Sequence, residues 1–309
     1  MTFRLGTRGS ALALAQSGAV ADALRAATGR EVELVEITTA GDRSSAPVAS
    51  LGVGVFVSAL REALLAKEID FAVHSYKDLP TAPGEGLHIA AVPLRADPRD
   101  VLVARDGLTL AELPGGARLG TGAIRRIAQI NALGRDLTCV PIRGNVDTRL
   151  RKVADGELDA VVLARAGLTR LGRGAEATEI LDPLLMLPAP AQGALAVECR
   201  DDDGELRELL AALDDPGTRA AVTAERALLA QLEAGCSAPV AALADIAAGD
   251  DGDEIYLRGA VFSPDGRFGV RLSGTGTLAE ADQIGRRLAA DLLAEGADSV
   301  LGVQHDPYP

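Results

Sequence analysis

The sequence lacks any uninterrupted apolar stretch approaching the roughly 20 residues that a bilayer-spanning helix requires. Its N-terminus, MTFRLGTRGS, opens on a strand-like run and lacks the apolar core of a secretion signal. Both absences point to a cytoplasmic chain with no membrane partner. Cysteine is scarce: Cys139, Cys199 and Cys236 are odd in number and far apart. They show neither zinc-ligand spacing nor a disulfide framework, so on composition alone each reads as a small buried hydrophobe. Lysine is confined to Lys67, Lys77 and Lys152, and the remaining basic residues are arginine. A net charge of −13 excludes a general nucleic-acid binder, because phosphate contact needs a basic face.

What is present is the composition of a soluble globular protein, 48% hydrophobic and 24% charged. At 309 residues the chain is too long for one compact core and predicts two or three domains. The first half alternates strand-like and helix-like segments. Phe3–Leu5 reads as a strand, Ser10 as the N-cap of an Ala/Leu-rich helix, and Val32–Thr38 as a second strand. Residues 40–54 read as a surface loop. A helix near 56–67 and strands at Ile69–His74 and Leu87–Val92 complete one α/β unit. Arg95–Asp100, with Pro98 inside it, reads as a crossing into a second unit. There strands at Val101–Ala104, Arg118–Gly120, Leu137–Ile142 and Ala160–Leu163 alternate with helices at Ala123–Ala132 and Val146–Ala154. Such alternation predicts mainly parallel sheets covered on both faces. PAPAQG, Pro188–Gly193, reads as a second crossing ahead of a strand at Ala194–Glu198.

Beyond Asp215 the pattern changes. A helix (Thr218–Glu233), three strand-like runs (Pro239–Ile246, Glu254–Phe262, Phe268–Gly274) and a last helix (Leu278–Glu295) predict an α+β unit with a small antiparallel sheet. The final HDPYP reads as disordered.

Four arginine-bearing segments are predicted where a strand gives way to a helix. They are Thr7-Arg8-Gly9-Ser10, Gly120-Thr121-Gly122-Ala123-Ile124-Arg125-Arg126, Arg143-Gly144-Asn145-Val146-Asp147-Thr148-Arg149 and Gly167-Leu168-Thr169-Arg170. Helix N-termini favour anions, and arginine adds a planar fork that matches a carboxylate. A single surface arginine is more often merely solvated; four in one setting favour a polyanion cleft over a metal site. A second constellation is Ile69 to Pro80, where an apolar strand delivers His74, Ser75, Lys77 and Asp78 to its C-terminal end. Asp78 reads either as a turn cap ahead of Pro80 or as a carboxylate that stabilises a cation or moves a proton. His74 reads as a structural hydrogen-bonding residue. A third is Leu232-Glu233-Ala234-Gly235-Cys236-Ser237-Ala238-Pro239, which puts Cys236 in a tight loop where a reactive side chain can be presented. Nothing in that position lowers a thiol pKa.

The segments GTRGSALALAQ, FAVHSYKDLP, IRGNVDTRL, AGLTRLG, PAQGALAVECR and LEAGCSAPV resemble, in this order, those of the porphobilinogen deaminase family. That resemblance implies two lobes like type II periplasmic-binding-protein domains around a cleft (1–94 with 193–214, and 95–192). A third α+β domain, 215–309, would carry the cofactor cysteine. It implies dipyrromethane held as a thioether on Cys236, with Asp78 as the catalytic carboxylate. Ser75, Lys77, Asp78, Arg125 and Arg126 would contact the cofactor. Arg8, Ser10, Arg143, Arg149, Arg170 and Gln192 would serve the substrate, Gln192 lying at the crossing between lobes. The implied reaction condenses four porphobilinogen molecules head to tail with loss of ammonia, through an electrophilic methylene-pyrrolenine. Water then releases hydroxymethylbilane, in a monomer that needs no metal. Val53 and Ser58 stand where many members carry lysine, Gly122 and Ala123 where serines are common, and Tyr76 where methionine is frequent. The rival reading is a non-catalytic carboxylate-binding protein built on the same two lobes, which would need neither Cys236 nor Asp78.

Overall fold

The computed structural model describes residues 2–38, 57–232, 239–249 and 252–301. Loop 40–54 with Val53, the cysteine at 236 and the HDPYP tail lie outside the described residues. In chain order the elements begin with β1 (Thr2–Thr7), α1 (Ala11–Thr28), β2 (Glu31–Glu36), α2 (Ser58–Leu65), β3 (Phe71–Ser75) and β4 (Leu87–Ala91). Next come β5 (Asp100–Ala104), β6 (Ala117–Gly120), α3 (Ile124–Ala132), β7 (Leu137–Val140), α4 (Val146–Ala154), β8 (Ala160–Ala164), α5 (Arg165–Arg170) and β9 (Glu179–Ile180). The chain continues through β10 (Leu195–Arg200), α6 (Gly204–Ala211), α7 (Pro216–Gln231), β11 (Val240–Gly249), β12 (Gly252–Phe262), β13 (Gly269–Thr277) and α8 (Ala281–Ala294). These elements form two compact units, Met1–Ala96 with Gly193–Arg219, and Asp97–Gln192 with Ala220–Pro309.

The first unit is a five-stranded sheet in the order β2-β1-β3-β10-β4 with helices on both faces. Phe3, Leu5, Phe71, Val73 and Val197 pack against Val20 and Leu24 of α1 and Leu206 and Leu210 of α6. On the opposite face Ile69 and Ala72 pack against Leu60 and Leu64 of α2. Helix α1 starts where it does because the Ser10 hydroxyl accepts from the Ala13 N–H, and it stops at Gly29 in the left-handed conformation. Helix α6 was not anticipated, although Asp203 caps it by accepting from Leu206 N–H.

The second unit repeats the design with a sheet in the order β7-β6-β8-β5-β9. The sheets are mainly parallel, as expected, with one antiparallel strand in each. Strand β1 is parallel to β2 and β3, but β10 runs antiparallel to both β3 and β4. Likewise β6 is parallel to β7 and β8, while β5 is antiparallel to β8 and β9. The strands that follow the two crossings enter the sheets against the direction set by the strand–helix–strand repeats.

The three-stranded antiparallel sheet β11-β12-β13 belongs to the second unit. One face packs Val240, Ala242, Leu257 and Val261 against Leu228 of α7 and Leu288 and Leu292 of α8. The other places Ala241, Leu243, Ala260 and Phe262 against Ala128 of α3 and Leu187. The turn between β12 and β13 seats on the end of α3, where Asn131 donates to the Pro264 carbonyl at 3.0 Å. Gly266 has φ +72°, and a Cβ there would lie 2.3 Å from Ala132 N and 2.7 Å from Ala128 O. Both the backbone conformation and the contact with another backbone require glycine. Gly266→Ala is therefore expected to destabilise the protein by about 2–4 kcal/mol in denaturant unfolding. A change within ~0.5 kcal/mol would show that the turn does not seat on α3.

Candidate active site

In the first unit β1 and β3 are parallel neighbours, with Leu5 opposite Phe71, so their C-terminal ends share one sheet edge. That edge carries Arg8 and Ser10 from one strand and Ser75 to Asp78 from the other, at the position where open α/β sheets present ligand groups. The local chemistry that holds it is polar and internal. Ser17 donates to the Thr7 hydroxyl at 2.9 Å, and Gln16 Nε2 donates to Ser75 Oγ at 3.0 Å. Ser10 is the α1 cap and Ser75 is bound to α1, so both hydroxyls are structurally engaged. After Ser75 the chain makes one 3-10 turn, Tyr76–Asp78, closed by Leu79 N–H donating to Tyr76 O at 3.2 Å. Leu79 is buried beside Val57 and Ala196, which anchors the turn and leaves Asp78 exposed.

Below that turn His74 sits in the core, its Nε2 3.2 Å from Glu198 Oε2. Arg61 grips the same carboxylate with Nε at 3.1 Å and Nη2 at 2.8 Å. Burial pushes the Glu198 acid up, but His74 and Arg61 outweigh it and hold the group below the usual carboxylate range. His74 is thus buried and paired by charge with Glu198, away from the exposed turn.

The second unit gathers the other arginines. Arg125 and Arg126 open α3, Arg143 and Arg149 flank the start of α4, and Arg170 ends α5. The last position corrects the sequence reading: Gly167 to Arg170 lies inside α5, not in a strand-to-helix turn. Gly144, at φ +100°, allows the turn after β7, and Asn145 caps α4 by accepting from Thr148 N–H at 2.9 Å. Arg149 Nε donates to the Gly144 carbonyl at 2.9 Å. Gly122 brings the two turns together, since a Cβ on it would lie 2.9 Å from Ile142 O.

Two of these arginines are buried and share one carboxylate. Arg125 Nη2 lies 2.9 Å and Arg126 Nη2 2.8 Å from the Asp100 oxygens, and Asp100 is wholly buried. Gln192 Nε2 donates to Asp100 at 2.8 Å and to Pro98 O at 2.7 Å. Burial alone would push the Asp100 acid up; Arg125, Arg126 and Gln192 reverse that and keep it ionised. Sequence reasoning missed Asp100, which looked like the end of a crossing.

Two guanidiniums of this cluster keep unsatisfied donors. Arg126 Nε and Arg143 Nη2 are buried without a hydrogen-bond partner among the described residues. The Arg149 guanidinium is pushed down to about 10, first by burial and then by Arg126 and Arg143. Burial pushes Arg170 down as well. Orphaned buried donors and mutual repulsion are the signature of a site completed by an anionic ligand. Dipyrromethane, which brings an acetate and a propionate on each ring, fits that donor set. Among the described residues no cluster of His, Cys, Asp and Glu could hold a metal ion.

Arg149→Gln should therefore separate stability from binding. Loss of the bond to Gly144 is offset by relief of repulsion, so the unfolding free energy should change by no more than about 1 kcal/mol. The KM for the carboxylate substrate should rise by about tenfold or more, and an unchanged KM would remove Arg149 from the site.

Comparison with known proteins agrees with the motifs. The model for "Porphobilinogen deaminase, dipyromethane cofactor binding domain" matches residues 3–208, and that for the "Porphobilinogen deaminase, C-terminal domain" matches 219–294. The porphobilinogen deaminase of Nocardia farcinica is 61% identical over 304 residues, covering 97% of this chain and 88% of the relative. That of Mycobacterium tuberculosis (strain ATCC 25177 / H37Ra) is 58% identical over 309 residues, covering 98% of this chain and 100% of the relative. Among solved structures, the methionine-binding protein MetQ aligns over 68% of this chain and 88% of its own, with 13% identity and a TM-score of 0.45. On the family models and these identities, the chain belongs to the porphobilinogen deaminase family.

Proposed function

We propose that the chain condenses four porphobilinogen molecules head to tail, with loss of ammonia at each addition, and releases hydroxymethylbilane by hydrolysis for tetrapyrrole synthesis. The observation that carries this reading is the arginine cluster of the second unit, with its orphaned buried donors at Arg126 and Arg143. Each pyrrole brings two carboxylates, so the product chain gains negative charge with each addition, and repelling guanidiniums become progressively neutralised.

Dipyrromethane, tethered by a thioether to Cys236, supplies the nucleophilic pyrrole carbon from which the product is built. Lys77, Arg125 and Arg126 bind its carboxylates; Arg8, Arg143, Arg149 and Arg170 bind those of the incoming substrate. Ser10, Ser75 and Gln192 shape these sites through the bonds they make to α1, Gln16 and Asp100. Asp78 stabilises positive charge on the substrate pyrrole nitrogen as ammonia leaves, an electrostatic role that strengthens as water is excluded. Residues 215–309 act as a third domain that presents Cys236. The enzyme works as a cytoplasmic monomer without nucleic acid or membrane partners; no helix among the described residues is long and apolar enough to cross a membrane.

Incubation with porphobilinogen tests the reading. Ammonia should appear in a ratio of about four to each tetrapyrrole released, as head-to-tail condensation requires. Binding of porphobilinogen without ammonia release would favour the non-catalytic alternative.

A further inference from the structure

Arg125 and Arg126 are consecutive on a helix, and consecutive helical side chains diverge by roughly 100° about the axis. Both nevertheless reach one carboxylate. Asp100 forms an ion pair with Arg125 Nη2 through one oxygen at 2.9 Å and accepts from Arg126 Nη2 on the other at 2.8 Å. Arg126 Nη1 also donates to the Val162 carbonyl at 2.8 Å, so two points fix the plane of its guanidinium. The orientation of the unpartnered Nε follows from those two bonds. Gln192 donates at 2.8 Å to the same Asp100 oxygen as Arg126, and its bond to Pro98 O ties the carboxylate to the crossing that leads into β5.

We propose that Asp100 is a positioning residue for the carboxylate-binding cluster: it draws the diverging Arg125 and Arg126 together and sets the Arg126 Nε–H to receive a ligand carboxylate. The inference rests on the proposed function for the identity of that ligand. Positioning and simple charge make opposite predictions. Asp100 is the acid paired with Arg125 and Arg126 inside a cationic cluster, so deleting its charge raises the local positive potential. If only that potential mattered, anions would bind Asp100→Asn more tightly. If Asp100 positions the guanidiniums, they bind more weakly despite the added charge.

The test uses the full-length protein and two variants, read first for how much dipyrromethane adduct each carries. Asp100→Asn removes the charge and keeps the shape; Gln192→Met keeps both ion pairs and removes the bonds to Asp100 and to Pro98 O. For Asp100→Asn the share of chains carrying the adduct, read by intact mass, should fall by about tenfold or more. Gln192→Met should give a smaller fall in the same direction, and it decides the matter should Asp100→Asn fail to fold. An adduct share equal to or above wild type in the folded variants would overturn the proposal. Thermal stabilisation by benzene-1,2,4-tricarboxylate supplies a readout that does not depend on turnover. Wild type should be stabilised and both variants less so; stabilisation of a variant equal to or above wild type would also overturn it. A wild type stabilised by the tricarboxylate but inert toward porphobilinogen would instead sink the proposed function, leaving the positioning role to be judged on the stabilisation alone.

Discussion

Replacing Asp78 with alanine is expected to leave the dipyrromethane adduct on the protein and to slow porphobilinogen consumption by about 10²–10⁴-fold. The adduct should survive because Asp78 is exposed at the end of a one-turn helix whose fixed point is buried Leu79. Removing an exposed carboxylate there unpacks nothing. The rate should collapse because a positive charge developing on a pyrrole nitrogen in a water-excluded site is disfavoured unless a carboxylate answers it. Asp78→Glu should recover only part of the rate, since one extra methylene displaces the charge from its working position. An Asp78→Ala enzyme with wild-type turnover would assign the residue to turn formation alone.

Cys236→Ser should yield protein without adduct and with no measurable turnover, because serine's hydroxyl is far less nucleophilic than a thiolate and forms no thioether. The two other cysteines are poor rivals for the tether. Cys199 is fully buried in β10, and its thiol is pushed up to about 11 chiefly by burial. Burial pushes the Cys139 thiol up to about 11 as well. At pH 7 each holds only on the order of one part in 10⁴ as thiolate. Cys139→Ser and Cys199→Ala should accordingly keep the adduct, although Cys199→Ala trims the first unit's core. Adduct on Cys236→Ser protein would move the tether elsewhere.

Sequence reading located the strand-to-helix turns because their chemistry is local. Ser10 and Asn145 cap the helices that follow them, and the apolar run from Phe71 to Val73 ends at the polar Ser75-Tyr76-Lys77-Asp78 turn. What it missed depends on partners far along the chain. Asp100 gains its meaning from Arg125, Arg126 and Gln192, and Glu198 from Arg61, 137 residues away. The antiparallel entry of β5 and β10 was equally hidden, since an apolar strand buried on both faces reads alike in either direction. Arg170 was misplaced because Arg165-Ala166-Gly167 begins a helix despite its glycine, directly after β8. Helix α6 was legible from Asp203 and the Leu206, Leu210 spacing, and was overlooked.

The same division explains why the two crossings looked like plain linkers. Pro98 and Pro188 to Gly193 carry the composition of loops, yet Pro98 O accepts from Gln192 and Ala191 N–H donates to buried Glu225 at 2.5 Å. Ala191 adopts φ +61° within that turn, a conformation an alanine holds only when its surroundings fix it.

Intact-mass measurement of the purified chain, before and after addition of substoichiometric porphobilinogen, tests the central claim most directly. The account predicts a starting mass heavier than the sequence by one dipyrromethane, then a ladder of species each heavier by one deaminated pyrrole. An unmodified starting mass, with no ladder after substrate is added, would contradict it.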